Sequence, residues 1–162
     1  MPERVPLPAG DRTEVAAARL HLLRAARHRL DLYLPQLAGG DYGSAEELAQ
    51  WRRVATSGRG AQIRILLHDP AGALRDGHRL VALAQRLPSA LQIRVPVEDA
   101  DLAYASAYLL NDAGGYLFLP EATRPQGRAA DGDRAAQAPL RQHFEEVWER
   151  SMRATMLQPL DL

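Results

Sequence analysis

Apolar residues recur at helical spacing in the first part of the chain. Val15, Ala18, Leu22 and Ala26 share one face, flanked by Leu20 and Leu23, and Asp11 stands where an N-cap belongs. The pattern predicts a helix over residues 12–27. Leu30, Leu32 and Leu34 then alternate with Asp31 and Tyr33, the period of a strand, until Pro35 and the Gly39, Gly40 and Gly43 run break it. Ser44 with Glu47 three residues on reads as a capping box opening a second helix to about Ser57. Gln62 to Leu67 is an apolar run closed by Asp69-Pro70 and Gly72, a mostly buried strand. A third helix is expected over residues 77–87, with Leu80, Leu83 and Leu87 inward, and a strand through Leu91, Ile93 and Val95. Residues 104–111 and 115–119 are apolar runs split by Asp112-Ala113-Gly114, the mark of a hairpin. A last helix is expected from near Pro139, with Leu140, Phe144, Val147, Trp148 and Met152 in one stripe.

The order is α-β-α-β-α-β-β-β-α. Early alternation of strand and helix predicts a largely parallel sheet with helices on both faces. The late hairpin makes the sheet mixed, an α/β fold. One domain over residues 12–155 is expected, after a flexible leader at 1–11 and before a tail at 156–162. The stretch from Glu121 to Asp133, rich in Ala, Gly, Asp and Arg, reads as a mobile loop. No window approaches the ~20 apolar residues of a transmembrane helix. The start, with three prolines in MPERVPLPAGD, is not a secretory signal, so a cytoplasmic protein is expected.

Composition narrows the chemistry. The 162 residues are 46% apolar and 25% charged, as in ordinary globular domains. Acids and bases number 20 each, so the formal net charge is zero and a strongly basic nucleic-acid binder is disfavoured. There is no cysteine, which excludes disulfides, thiol nucleophiles and Cys-ligated zinc. All 20 basic residues are Arg. Without Lys there is no Schiff-base chemistry and no P-loop lysine.

Three stretches carry a family resemblance. Ile63-Arg64-Ile65-Leu66-Leu67-His68-Asp69, the run from Gly77-His78-Arg79-Leu80 to Pro88-Ser89, and Phe144-Glu145-Glu146-Val147-Trp148-Glu149-Arg150-Ser151 resemble a bacterial family of uncharacterised phospholipase-D-like domains. With the element order, the chain looks like one half of the phospholipase D/nuclease fold from about Arg19 to Ser151. Active members use His-x-Lys-x4-Asp: His attacks phosphorus, Lys balances the phosphate charge, Asp supports them, and a second His protonates the leaving group. The matching register here falls on Tyr104, Ser106 and Asn111. The spacing fits and every catalytic residue is replaced, so the resemblance implies the fold and a degenerate, non-catalytic domain. Because live members set two halves face to face, it also implies a homodimer, or a protein partner on the same sheet edge or old active-site face.

Other constellations compete with simpler readings. His68-Asp69 ends a strand, where α/β sheets place ligands, yet Asp69-Pro70 is also a good turn. Asp76-Gly77-His78 precedes a helix whose N-terminus, with Arg79, would suit an anion, yet Asp76 is also a good cap. His68, Asp69, His78 and Arg79 are therefore the ligand-binding candidates. His21, Arg24 and His28, with Arg27 and Arg29, form a stripe for nucleic acid or anionic lipid, which the zero net charge disfavours. His143 and Glu146 have i, i+3 spacing, but a lone pair makes no metal site, and no metal or cofactor is expected. Gly39-Gly40-Asp41-Tyr42-Gly43 is no dinucleotide fingerprint, and Tyr42 is expected to pack across that loop. Two function classes remain: a binding or regulatory module, and a phosphodiesterase or phosphohydrolase with a relocated site at His68, Asp69 and His78.

Overall fold

The computed structural model describes residues 4–37 and 41–155. Gly39 and Gly40 of the glycine loop, and the tail from 156, lie outside the described residues. One mixed sheet of eight strands runs through the molecule in the order β1-β7-β6-β5-β2-β3-β4-β8. Strands β2 (Arg29–Leu34), β3 (Gln62–Leu67) and β4 (Leu91–Val95) are parallel. Strand β5 (Ala107–Asn111) pairs antiparallel with β2 and with β6 (Tyr116–Leu119).

Helices cover both faces, as the strand pattern requires. On one side α1 (Arg12–Ala25), α2 (Ala45–Ala55) and α4 (Arg79–Arg86) pack on Leu30, Leu32, Ile63, Ile65, Leu91 and Ile93. On the other, α6 (Arg134–Glu149) lays Phe144, Val147 and Trp148 on Tyr33, Leu66, Tyr108 and Leu110. Both faces of β2 are therefore buried, including the polar Asp31. Asp31 accepts from Arg64 Nε at 2.8 Å and from Arg141 Nη1 at 3.1 Å, and Arg64 also bonds Glu145 Oε2 at 3.0 Å. Burial opposes the Arg64 charge, and these carboxylates more than offset it.

Helix starts follow local chemistry. The Asp11 carboxylate accepts the Glu14 N–H at 2.8 Å, and the Ser44 hydroxyl accepts that of Glu47 at 3.1 Å. The reciprocal half of the capping box does not form. Glu47 instead turns to Arg19, at 3.0 and 3.1 Å, because the buried guanidinium needs a carboxylate. Helix α1 stops at Ala25, where the Arg53 guanidinium takes up the carbonyls of Leu23 and Ala26.

Several elements depart from the pattern expected along the chain. In the stretch read as leader, Val5–Leu7 form β1. In the stretch read as a mobile loop, Arg128–Asp131 form β7, the antiparallel partner of β1 and β6. Neither strand carries an apolar alternation of its own; each is made by its neighbours' backbone groups. The expected third helix forms as α4, while the Pro70–Gly72 stretch read as a strand-closing turn folds into an extra helix, α3 (Pro70–Arg75), set off from α4 by Gly77 at φ 65°, a left-handed conformation suited to glycine. A short α5 (Asp99–Leu102) precedes β5. Helix α6 begins five residues before Pro139, at Arg134, capped by Asp133. Its Gln137 is buried and donates to the Asn111 and Gly115 carbonyls, which docks that first turn. A two-residue β8 (Met152–Arg153) ends the sheet beside β4. Among the described residues, no helix is long and apolar enough to cross a membrane.

Candidate functional site

The carboxyl ends of β2 and β3 meet the amino end of β5, with α5 lying across them. Tyr33, near the end of β2, points to the α6 face because Leu32 and Leu34 take the other. It pairs in register with Tyr108 of β5, and their rings stack at 5.4 Å between centroids. Tyr104 meets Tyr33 edge-on at 5.0 Å. His143 of α6 stacks on Tyr104 at 4.3 Å. His68, just past β3, meets Tyr33 edge-on at 5.5 Å. Tyr33 and Tyr108 are buried, and the other three rings are partly open to solvent.

Hydrogen bonds assign the protons. The Tyr33 hydroxyl donates to the Asp101 carbonyl at 2.9 Å. Its only proton is then used, so its 2.9 Å contact with His68 Nε2 is an N–H donated by the imidazole. His68 Nδ1 is left as an acceptor with no partner among the described residues. Burial drives the Tyr108 phenol pKa far up, so it keeps its proton and donates to His143 Nδ1 at 2.7 Å. His143 then offers Nε2–H, also without a partner among the described residues. Burial lowers the pKa of both imidazoles, which keeps them neutral at pH 7. The site thus presents one neutral acceptor and one neutral donor. Asp101, the acid whose charge both imidazoles feel, is held ionised by Arg150, whose Nε and Nη2 donate at 2.6 and 2.7 Å.

His68 also lines a groove of about 870 Å³ on the α1 side of the sheet, with Arg12, Arg19, Leu37, Tyr42 and Pro125. Tyr42 is buried, with its phenol pushed up to about 12 by that burial, and its ring lies 4.6 Å below the Arg19 guanidinium. Arg19 is committed to Glu47; Arg12 has no ion-pair partner among the described residues.

The structure divides the residues singled out along the chain. Asp69 lines the groove beside His68, while its carboxylate caps α3 through Gly72 N–H at 3.0 Å. His78 is buried and fully used: Nδ1 accepts the Leu80 N–H at 3.1 Å, and Nε2 donates to the Asp41 carbonyl at 2.9 Å. It, not Asp76, caps α4. Arg79 is exposed in the first turn of that helix. Asn111 is buried; its amide donates to Leu22 O at 3.0 Å and accepts from Ala113 and Gly115 N–H at 3.0 and 2.8 Å. The Ser106 hydroxyl donates to Pro120 O at 2.7 Å. The stripe expected on the first helix is broken, since α1 ends at Ala25 and Arg29 opens β2, and its members are largely engaged: His21 with Asp131, Arg24 with Glu46, His28 with Ser57 and Arg29 with Gln62. His143 joins the tyrosines rather than Glu146. Among the described residues, no group of three or more His, Cys, Asp or Glu is placed to hold a metal ion. Tyr33, Tyr108, Asp101 and Arg150 were not singled out in the sequence. The one available signal was that Tyr33, Tyr104 and Tyr108 flank the ends of strands.

The sequence profile of a family described as a domain of unknown function, DUF7931, matches residues 11–160. The chain belongs to the DUF7931 family. No curated protein matches it. Solved structures do. TrmBL2, an archaeal chromatin protein, superposes with a TM-score of 0.64 at 16% identity, over 94% of this DUF7931 chain and 55% of the other. The DUF7931 chain thus spans about half of TrmBL2. NucT from Helicobacter pylori gives a TM-score of 0.59 at 9% identity, over 93% of this chain and 97% of NucT. Nuc from Salmonella typhimurium, a phospholipase D family member, gives 0.53 at 10% identity, over 93% and 95%. At such identities the likeness is one of fold: this DUF7931 domain has the phospholipase-D-like fold.

Proposed function

We propose that this DUF7931 domain is a catalytically degenerate phospholipase-D-like module that works by binding, as a regulatory or protein-interaction unit. One observation carries the reading: the His-x-Lys-x4-Asp register is occupied by side chains committed to the fold. Asn111 spends its whole amide on the Leu22 carbonyl and the hairpin turn, and Ser106 is tied to Pro120. Tyr104 supplies an aromatic surface, stacked on His143. No cation stands in the register, and Arg150 nearby is held by Asp101. A phosphoryl-transfer site needs an activated nucleophile and a positive charge beside the transferring group, and these positions supply neither.

The module pairs with a second copy or a protein partner through the site end of the sheet, where Val97 and Leu102 are exposed. TrmBL2 is described as binding DNA. For this chain, zero net charge and the engagement of Arg24 with Glu46 and of Arg29 with Gln62 support a protein partner over nucleic acid or anionic lipid. The test is turnover of bis(p-nitrophenyl) phosphate and of single-stranded DNA by the purified chain. The expected result is no turnover above buffer. Turnover that survives purification to homogeneity and is lost in a single-residue variant overturns the reading.

A second reading keeps phosphodiester or phosphohydrolase chemistry at a relocated site. The Tyr33-oriented His68 favours it, since an accessible imidazole nitrogen held by a neighbour is how a base or nucleophile is arranged. His78, tied up as a helix cap, gives it no second group. Activity abolished by His68→Ala and untouched by His78→Gln would select this reading.

A further inference from the structure

The far edge of the sheet carries charges that form no ion pair among the described residues. Arg94 of β4 and Arg153 of β8 stand opposite each other in register, so their side chains share the α6 face. The Arg94 guanidinium lies 4.4 Å over the Trp148 ring and donates Nη1 to Trp148 O at 3.0 Å, while its buried Nε has no partner among the described residues. Burial, and next the Arg153 charge, work against the Arg94 cation. Arg153 is exposed, and neither arginine is in an ion pair among the described residues. Past the end of β4, Glu98 and Asp99 are exposed at the start of α5 and in no ion pair among the described residues; Glu98 makes no side-chain cap, and its charge also favours the Arg150 cation. Around both charge pairs lies apolar surface: Val97, Leu102 and Met152 are 44%, 43% and 64% exposed. These are most of the large apolar residues exposed among the described residues. The edge strand β8 is only two residues long.

A cationic pair, an anionic pair and apolar surface on one corner make it self-complementary. An isologous contact sets the same patch against itself, so that each residue's partner is repeated across the two-fold axis. We infer that the β4–β8–α5 corner is the face on which a second copy docks, Arg94 and Arg153 of one copy meeting Glu98 and Asp99 of the other. This rests on the reading of the domain as an interaction module and names the surface it uses. The cross-copy carboxylates would offset the like-charge pair that the fold leaves open, and Val97, Leu102 and Met152 would lose their water.

The test uses the exposed charges only, so that folding is not at stake. Wild type, Arg153→Glu, the double variant Glu98→Arg with Asp99→Arg, and an equimolar mixture of the two variants are run by sedimentation over a dilution series. Wild type is expected to dimerise. Each variant alone faces like charge twice, and its dimer dissociation constant is expected to rise about tenfold or more. The mixture restores opposite charges at both contacts and is expected to return to within about threefold of wild type. Variants that dimerise as wild type does, or that weaken with no rescue on mixing, overturn this surface while leaving the interaction reading intact. A wild type monomeric at every concentration also overturns it. Failure of the interaction reading is read separately, as phosphodiester turnover by the same samples.

Discussion

The Tyr33 hydroxyl fixes the tautomer of His68. It gives its proton to the Asp101 carbonyl at 2.9 Å and therefore receives the Nε2–H of His68, also at 2.9 Å. The lone pair on His68 is left at Nδ1. Tyr33→Phe should release it. Loss of the hydroxyl leaves the Asp101 carbonyl and the imidazole N–H without a partner, at a cost of about 1–3 kcal/mol. Nitrogen-15 spectra of the imidazoles should show His68 as a single Nε2–H tautomer in wild type and as a mixture in the variant. A wild-type mixture would contradict the assignment.

Burial lowers both His68 and His143 below the ordinary imidazole value of 6.5. Between that value and each lower folded value, the unfolded chain binds more protons than the folded one, so stability rises with pH. This contribution is complete above about pH 6.5 and is lost as pH falls through the folded values. Thermal unfolding followed from pH 8 to 5 should therefore show a falling midpoint below about 6.5. His68→Gln and His143→Gln should each flatten the fall. Asp101 and Glu145, both depressed, first by bonds from Arg150 and Arg64, are stabilising above the ordinary carboxylate range. Their share is lost only at lower pH, outside this window.

Asn111 serves the hairpin and α1 together. Asn111→Asp restores the carboxylate of the phospholipase D motif, but it removes the amide donor to Leu22 O and sets an anion against that carbonyl. Loss of stability of about 2 kcal/mol or more is expected in urea unfolding, with no gain of phosphodiesterase activity. Unchanged stability would mean that the amide is not anchored as described.

The Arg64 cluster separates buried from half-exposed carboxylates. Asp31 is 6% exposed at its side chain and Glu145 44%. Asp31→Asn removes the buried counter-charge of Arg64 and should cost roughly 3–5 kcal/mol. Glu145→Gln, at the solvent edge, should cost about 1 kcal/mol. Equal losses in denaturant melts would show that burial does not set the ranking.

Gly127 reports on β7. A Cβ there would collide with the Phe118 carbonyl oxygen, which is backbone and has no room to yield. Gly127→Ala should destabilise by about 1–3 kcal/mol and raise amide exchange in β7. A neutral substitution would mean that β7 does not dock on β6 as the register states.

What the amino-acid sequence determined by itself was local or repeated along the chain. Apolar periodicity marked α1 and β2 to β6, Asp11 marked the start of α1, and the Ser44–Glu47 capping box marked α2, because these signals depend on neighbours a few residues away. Strands β1, β7 and β8 were not legible, since short segments take their structure from the hydrogen-bonding groups of distant partners. The candidate site was half legible. His68 was found from its place at a strand end, but its meaning came from Tyr33, 35 residues away. His143 and Glu146 had the spacing of a metal pair but too few ligands to make a site, and nothing along the chain gave His143 another role; the packing of α6 set it on Tyr104 and Tyr108, again 35 residues from the latter. His78 looked available until the fold used both its nitrogens. Periodicity records which residues are buried; which buried or half-buried polar groups share a proton is decided only when sheet register and helix docking bring them within hydrogen-bond reach.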